Sequence, residues 1–307
     1  MTETTLPGDG AAGVLRILHL SDTHFLAEGR HNGVVDTLAA TERVLDACQE
    51  LAPPHLVVVS GDVSDDGTPQ SYELARSVIG SWADEAGAAV VMSMGNHDYR
   101  PSFRAVLGTG HLAAHQPEHE ADPQAPIDAV SWVGGLRVVT LDTSVPGAGR
   151  GELDDEQLTW LAGVLADPAP RGTVVVLHHS PLPPATRLHE ALRLRRPESL
   201  LQVVSGTDVR VMLSGHYHHA VSGVLGGVLA VVTPGVANRT ETLVRYGTER
   251  AVRGSAATLL ELGPAGDVVA TPQVVTHAQD GEPVVHLDEA TVEGYHRREG
   301  TRAPTTA

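Results

Sequence analysis

The chain has 307 residues, a formal net charge of −17 and a single cysteine. This length can bury the full core of one large domain. The acidity argues against a nucleic-acid-binding surface and an anionic membrane partner, although divalent metals can reverse the local field around a phosphate substrate. The lone Cys48 excludes an intrachain disulfide, and we expect it to be a packed thiol in a helix.

The first 13 residues are rich in Thr, Gly, Ala and acids, which predicts a flexible N-terminal arm over residues 1–13. This segment lacks the basic residues and apolar run of a secretory signal. No apolar stretch of the chain is long enough to span a bilayer. We therefore expect a cytoplasmic protein with no membrane span.

Short apolar strands alternate with helical patterns from Leu15 onward. The predicted strands are LRILHL, HLVVVS, AAVVMSM, LRVVTLD, TVVVLHH, VRVMLSG and VLAVVT. Helical periodicity appears in NGVVDTLAATERVLDACQEL, in PQSYELARSVIGSWADEAG and in DDEQLTWLAGVLADP, where Asp154 is the expected N-cap. Apolar strands interleaved with helices predict an α/β fold whose sheets are buried on their faces.

The pattern changes beyond Gly254, where the strand-like runs SAATLLELG and DVVATPQVV follow each other without helices. These runs predict a second sheet packed on the first. We expect one domain over residues 14–276. Residues 277–307 are predicted to form a polar C-terminal tail that ends in a disordered Pro/Thr-rich sequence.

Side chains able to bind metal directly follow five of the predicted strands. They are Asp22 and His24 after LRILHL, Asp62 after HLVVVS, Asn96, His97 and Asp98 after AAVVMSM, His178 and His179 in TVVVLHH, and His216 and His218 after VRVMLSG. Open α/β sheets bind ligands beyond the carboxyl ends of their strands. The five loops are therefore predicted to converge on one site.

The composition of this cluster indicates metal chemistry. Carboxylates, an amide and imidazoles without a thiolate suit Zn, Fe, Mn or Co and argue against a structural zinc site. Asp62 could bridge two ions, and so large a ligand set favours two metals, which can clamp phosphorus for in-line displacement. The glycines before Asp62, Asn96 and His216 are expected to adopt backbone conformations closed to other residues.

The same motifs, in this order, resemble the signature of calcineurin-like metallophosphoesterases, from Leu15 to Gly235 or about three quarters of the chain. The family fold is a two-sheet β-sandwich flanked by helices, so the resemblance implies an αββα arrangement of the α/β class. The segments His178–Pro183, Gly206–Arg210 and Leu141–Pro146 are similar to bacterial class III cyclic-nucleotide phosphodiesterases.

The resemblance implies a role for each motif residue. One ion would be held by Asp22, His24, Asp62 and His218, and the other by Asp62, Asn96, His178 and His216, with Asp62 bridging. His97 would remain unligated, contact the phosphate and protonate the leaving oxygen. Asp98 would orient His97 from behind, and His179 would either support a ligand from behind or be structural.

The resemblance also implies cofactors and partners. It implies two divalent or mixed-valence ions, with iron and manganese ahead of zinc and cobalt, and a homodimer. The expected reaction is hydrolysis of a small phosphodiester by metal-activated hydroxide, of the 3′,5′-cAMP type. The alternatives are a broad phosphodiesterase or phosphomonoesterase acting on 2′,3′-cyclic nucleotides or glycerophosphodiesters, and a non-catalytic metal-binding interaction module.

The remaining candidates receive ordinary structural interpretations. The histidines outside the motifs are predicted to lie on the surface or in loops: His31, His55, His111, His115, His119, His189, His277, His286 and His296. His19 is expected to be packed within its strand. Asp142 follows an apolar strand as the ligands do, but we expect it to cap a turn through Thr143 and Ser144.

Overall fold

The computed structural model describes residues 3–4, 13–112 and 122–301. Its helices are α1 (Thr37–Cys48), α2 (Pro69–Ala86), α3 (Arg100–Leu107), α4 (Asp155–Val164), α5 (Arg187–Leu192), α6 (Pro197–Val204) and α7 (Glu289–Thr301). Its strands are β1 (Glu3–Thr4), β2 (Leu15–Leu20), β3 (Leu56–Val59), β4 (Ala89–Met92), β5 (Ala129–Val133), β6 (Leu136–Leu141), β7 (Thr173–Leu177), β8 (Val209–Ser214), β9 (Val221–Leu225), β10 (Val228–Val232), β11 (Arg239–Thr240), β12 (Glu249–Val252), β13 (Ser255–Leu262), β14 (Val268–Val275) and β15 (Pro283–Leu287).

Two sheets packed face to face form the centre of the fold. One has seven strands in the order β1-β5-β6-β7-β8-β10-β9, and the other has five in the order β14-β13-β2-β3-β4. Buried Val, Leu and Ile side chains fill the space between them, including Ile17, Val58, Val176 and Leu213. Helices α1, α2 and α3 cover the outer face of the five-stranded sheet, and α4 and α6 cover the other. The predicted αββα sandwich is confirmed.

The distribution of strands between the sheets differs from the prediction. The early apolar strands do not share one sheet, because β2, β3 and β4 run parallel in one sheet while β6, β7, β8 and β10 run parallel in the other. The late strands extend the sheet of β2 instead of forming a sheet of their own, with β13 antiparallel to β2 and β14 antiparallel to β13. A strand buried on both faces has the same apolar sequence whether a helix or a sheet covers it.

Helix ends follow local sequence signals. The predicted N-cap Asp154 is confirmed, since its side chain accepts the Gln157 N–H and the Gln157 side chain returns the contact in a capping box. Helix α2 starts at a Thr68 cap and ends at Gly87 in the left-handed conformation. Cys48 is buried at the end of α1, as expected.

The C-terminal region is more ordered than predicted. Strand β15 pairs with β12 in a third, three-stranded sheet, and α7 packs against α5. The segment predicted as a polar tail thus contains a strand and a helix within residues 283–301. Its polar composition did not indicate them, because α7 is anchored by one buried apolar residue, Val292, and otherwise by polar contacts.

Parts of two predictions lie outside the described residues. They are residues 302–307 of the tail and most of the expected N-terminal arm, of which the structure describes only the strand Glu3–Thr4 and Gly13. Among the described residues no helix is long and apolar enough to cross a membrane.

Candidate metal centre

The carboxyl ends of β2, β3, β7 and β8 meet at one edge of the sandwich, where two buried aspartates lie among histidines. The His218 Nε2 atom lies 3.2 Å from Asp22 Oδ1, and the His178 Nε2 atom lies 4.0 Å from the same oxygen. The Asn96 side-chain oxygen lies 3.2 Å from His178 Nε2. Residues from distant parts of the chain, such as Asp22 and His218, therefore share one site.

Asp62 stands between two groups of imidazoles. One of its oxygens, Oδ2, lies 3.4 Å from His178 Nε2 and 3.7 Å from His24 Nε2. The other, Oδ1, accepts the backbone N–H of His97 at 2.8 Å. Ligand atoms gather on both sides of Asp62, from Asp22, His24 and His218 on one side and from His178, His179 and His216 on the other.

Backbone carbonyls fix the orientation of three of these imidazoles. His178 Nδ1 lies 2.8 Å from the Ser60 oxygen, and His218 Nδ1 lies 3.1 Å from the Asn238 oxygen. His216 differs, because its Nε2 atom faces the Leu192 oxygen at 3.1 Å. A carbonyl that accepts from one ring nitrogen leaves the other as a lone-pair donor for a metal.

The backbone is left-handed at five of the seven candidate ligands. The φ angles are 53° at Asp22, 47° at His24, 46° at Asp62, 69° at His216 and 51° at His218. Such angles are uncommon outside glycine and persist where the surroundings over-determine them, most often at functional sites. The turns that aim these side chains inward are thus imposed by the fold.

The motif glycines act in two different ways. Gly61 has a φ of 93°, as predicted, whereas Gly95 and Gly215 do not have positive φ, so the prediction is wrong for these two. They are instead required for close approach. A Cβ at Gly95 would overlap Asp62, and one at Gly215 would overlap the Ser21 hydroxyl.

A residue absent from the sequence-based candidates, Asp65, joins three imidazoles. Its Oδ1 atom lies 2.9 Å from His24 Nδ1, 3.1 Å from His31 Nδ1 and 3.2 Å from His97 Nδ1. Asp65 therefore contacts both a candidate ligand and the candidate acid. The only signal in the sequence was its position three residues after Asp62, in the loop that carries that ligand.

The contact expected between Asp98 and His97 is made by Asp65 instead. The Asp98 carboxylate accepts backbone N–H groups from Val63 at 3.1 Å, Ser64 at 2.9 Å and Gly95 at 2.8 Å. Asp98 thereby ties the loop after β3 to the loop after β4. It acts on the positions of Asp62 and His97 through the main chain.

Three histidines predicted to lie on the surface or in loops are buried: His31 beside His24, His189 beside His216, and His111 between Ser131 and Thr140. Polar neighbours supplied by distant segments explain their burial, and single-sequence patterns do not show such neighbours. His115 and His119 lie outside the described residues. His179 is also buried, with its ring nitrogens facing Thr143 and Gly149.

Asp142 behaves as predicted. Its Oδ1 accepts the Ser144 N–H at 2.9 Å and the Ser144 hydroxyl at 2.6 Å, which closes the expected turn. Its other oxygen accepts from Arg100 at 2.7 Å. Asp142 thus holds the start of α3, just after His97, against the end of β6.

The buried carboxylates favour positive charge on the groups around them. Burial lowers the pKa of His178, but Asp62 and Asp22 outweigh it and raise this pKa to about 9. Burial likewise opposes the charge on His218, and Asp22 raises its pKa. Burial lowers the pKa of His24 to about 4 and keeps its imidazole neutral. Protons thus collect next to the two aspartates.

The donor set fits a pair of divalent cations. Asp22 and Asp62 are almost fully buried, and anions in such a place require paired cations. On losing their protons to a bound cation, the imidazoles around them offer ring nitrogens oriented by carbonyls, and Asn96 adds an amide oxygen. Nitrogen and oxygen donors without sulfur suit Fe, Mn, Zn or Co.

Comparisons with known proteins identify relatives of this chain. The family model described as calcineurin-like phosphoesterase matches residues 15–220. A probable cyclic nucleotide phosphodiesterase from Rhodococcus erythropolis is 35% identical over 270 residues, covering 87% of this chain and 86% of its own. A cAMP/cGMP dual specificity phosphodiesterase from Mycobacterium tuberculosis is 36% identical over 244 residues, covering 78% and 73%.

Among solved structures, a dimetal phosphatase from Danio rerio has the same fold. The two chains superimpose with a TM-score of 0.57 at 14% identity, covering 86% of this chain and 100% of the other. At this identity the similarity applies to the fold alone.

Proposed function

Because the chain belongs to the calcineurin-like phosphoesterase family, we propose that it is a dinuclear metal-dependent phosphodiesterase that hydrolyses 3′,5′-cyclic nucleotides to nucleoside monophosphates. The observation that carries the proposal is the position of Asp62. Its Oδ2 atom lies within 3.7 Å of imidazole nitrogens from two different ligand groups. The substrate class is taken from the relatives, whose names specify cyclic nucleotides.

We assign the ligands by group. One ion is held by Asp22, His24, Asp62 and His218, and the other by Asp62, Asn96, His178 and His216. The metals supported best are iron and manganese, with zinc or cobalt as substitutes accepted by the same donors. When bound, the two ions supply a water of lowered pKa and neutralise charge on the phosphate.

His97 is the proposed general acid. Its side chain is 42% exposed, far more than those of the almost fully buried His24 and His178, so it can contact a substrate that approaches the metal centre from solvent. Burial lowers its pKa, but Asp62 and Asp65 outweigh this effect and raise it to about 9. Asp65 faces the Nδ1 atom, which leaves the Nε2 proton for the departing ester oxygen. A positioned acid contributes roughly 10²–10⁴-fold to the rate.

Two variants separate the roles of acid and ligand. His97→Ala should lower kcat by roughly 10²–10⁴-fold while the protein keeps its metal content. Asp62→Ala should instead lose metal, because it removes the carboxylate that both ions are proposed to share. Metal analysis of both purified proteins, beside rates with cAMP, tests the assignment, and loss of metal from His97→Ala would contradict it.

A substrate panel tests the reaction itself. We expect the manganese-loaded enzyme to prefer 3′,5′-cAMP over 2′,3′-cAMP, a glycerophosphodiester and p-nitrophenyl esters. Similar rates on all four would instead identify a broad esterase. No hydrolysis with any of the four metals would identify a metal-binding interaction module.

The location and assembly of the enzyme are further proposals. We propose that it acts in the cytoplasm on a small substrate and forms a homodimer, as the sequence and the family resemblance imply. Cell fractionation and sedimentation at several protein concentrations test these two points.

A further inference from the structure

We propose that Glu299, on the C-terminal helix α7, is a positioning residue for the second metal site, formed by Asp62, Asn96, His178 and His216. This inference rests on the ligand assignment made above. It concerns a part of the chain outside the region matched by the family model, which ends at residue 220.

Helix α7 is attached to α5 by specific contacts. His296 Nε2 lies 2.6 Å from the Arg187 oxygen, and Arg187 Nη2 lies 3.5 Å from Glu293. Val292 is buried. Helix α5 ends at Leu192, whose carbonyl oxygen faces His216 Nε2 at 3.1 Å. Helix α7 therefore supports the segment that orients one ligand of the second site.

Glu299 attaches α7 to a second segment of the site. Its side chain is only 8% exposed, and its Oε2 atom lies 3.1 Å from Arg150 Nη1. Its Oε1 atom accepts the Gly149 N–H at 3.4 Å. Arg150 is equally buried and also pairs with Glu152 at 2.9 Å. A buried carboxylate with such partners is strongly tied to them, because the unpaired charge would be costly.

The segment held by Glu299 lies against His179, which packs on His216 of the second site. The Gly149 oxygen lies 3.2 Å from His179 Nε2, and a Cβ on Gly151 would overlap the His179 ring. The ring centroids of His179 and His216 are 4.5 Å apart. The contacts thus run from Glu299 through Gly149 and His179 to His216.

The two segments are also joined to each other. Gly151 forms a β-bridge with Leu194, and its oxygen accepts the Arg195 N–H at 2.8 Å. Helix α7 contacts the segments on both sides of this bridge. All these contacts lead to the His179–His216 side of the site. The first ion's histidines are held elsewhere, His24 by Asp65 and His218 by the Asn238 carbonyl. The effect of Glu299 should therefore be selective.

The test compares two glutamates of the same helix. Metal-free Glu299→Gln and Glu289→Gln proteins are titrated with Mn²⁺ by calorimetry beside the wild type; Glu289 is 52% exposed and pairs with Arg245, away from the contacts described above. The step lost in an Asn96→Ala reference identifies binding at the second site. In Glu299→Gln we expect this step to lose roughly 10-fold in affinity, the lower end of the range for outer contacts of metal ligands. The other step should not change, and Glu289→Gln should match the wild type in both.

Each outcome decides the proposal. Equal affinities in Glu299→Gln and wild type would overturn it, and so would an equal loss at both steps, because a general destabilisation is not selective. If Glu299→Gln does not fold, Glu299→Asp keeps the charge but shortens the side chain, and the same selective loss is expected. A wild type that binds two Mn²⁺ without hydrolysing any ester would reject the proposed function and leave this readout intact.

Discussion

The Asp65→Asn variant should show how much the contacts that support the site contribute when every proposed ligand is kept. The change keeps the shape of the side chain and removes its negative charge. Asp65 accepts from His24 at 2.9 Å and lies 3.2 Å from His97 Nδ1, so one carboxylate orients a candidate ligand and the candidate acid. Burial opposes its charge, but these imidazoles outweigh it and hold the pKa of Asp65 well below its usual range.

The size of the effect follows from the two contacts. A hydrogen bond to a charged group contributes about 1.5–3 kcal/mol, and about 1.4 kcal/mol corresponds to a tenfold change. We take the lower value because the His97 side chain is 42% exposed. Loss of the charged contact to His97 should lower kcat roughly tenfold, and the weakened contact to His24 should lower metal affinity by about the same factor.

The assay is steady-state hydrolysis with saturating Mn²⁺, beside a Mn²⁺ titration of the metal-free protein. Asp66→Asn is the matched control, because Asp66 accepts from the backbone of Ala27 and Thr68 at 3.0 Å each, and in the described part of the chain it contacts no histidine. We expect the control to keep both kcat and metal affinity. Wild-type kcat and metal affinity in Asp65→Asn would refute the reasoning.

Three further predictions concern packing and pH. Gly215→Ala should abolish metal binding, because its Cβ would overlap Ser21 beside Asp22; metal analysis measures this effect, and a variant that keeps its metal would contradict it. Gly80→Ala should raise the free energy of unfolding, measured by urea denaturation, by about 0.5–1 kcal/mol, because Gly80 lies within helix α2 and nothing lies within 4 Å of the added Cβ. Burial raises the pKa of Glu249 from 4.5 to about 7, so between these two pH values the folded state binds a proton that the unfolded state has lost. The free energy of unfolding should therefore fall as pH rises, by about 3 kcal/mol at most. Urea denaturation at pH 4.5, 6 and 8 should show a smaller fall in Glu249→Gln than in the wild type, because other buried groups with a raised pKa, such as Asp128, still contribute; parallel curves would exclude Glu249 as a contributor.

The sequence was more informative about which residues lie close together than about how the strands are divided between the sheets. The alternation of apolar strands with polar loops was sufficient to predict that Asp22, Asp62 and His178 lie at one edge. The carboxyl ends of these parallel strands meet there although the strands belong to two different sheets. The assignment of strands to two sheets could not be predicted, since β2 and β7 are both mostly apolar and both covered on their two faces.

The residues missed were those whose role depends on a partner distant in sequence. Asp65 sits in an Asp-Asp-Gly run that is typical of a turn, and only the approach of His24 and His97 gives it a different role. Glu299 lies in a polar segment that contains few apolar residues, and its burial depends on Arg150, which is 149 positions away. A local pattern carries no information about such pairs.

The left-handed turns have a consequence for transplanting this centre into another scaffold. A designer who copies only the seven side chains onto ordinary strands or helices would aim five of them in the wrong direction, because their Cα–Cβ vectors depend on φ angles of 46° to 69°. The unit to graft is the whole turn, which includes Gly61 before Asp62 and Gly215 before His216. For the same reason, asparagine is the gentlest replacement at Asp22 and Asp62, since it tolerates the left-handed region better than alanine.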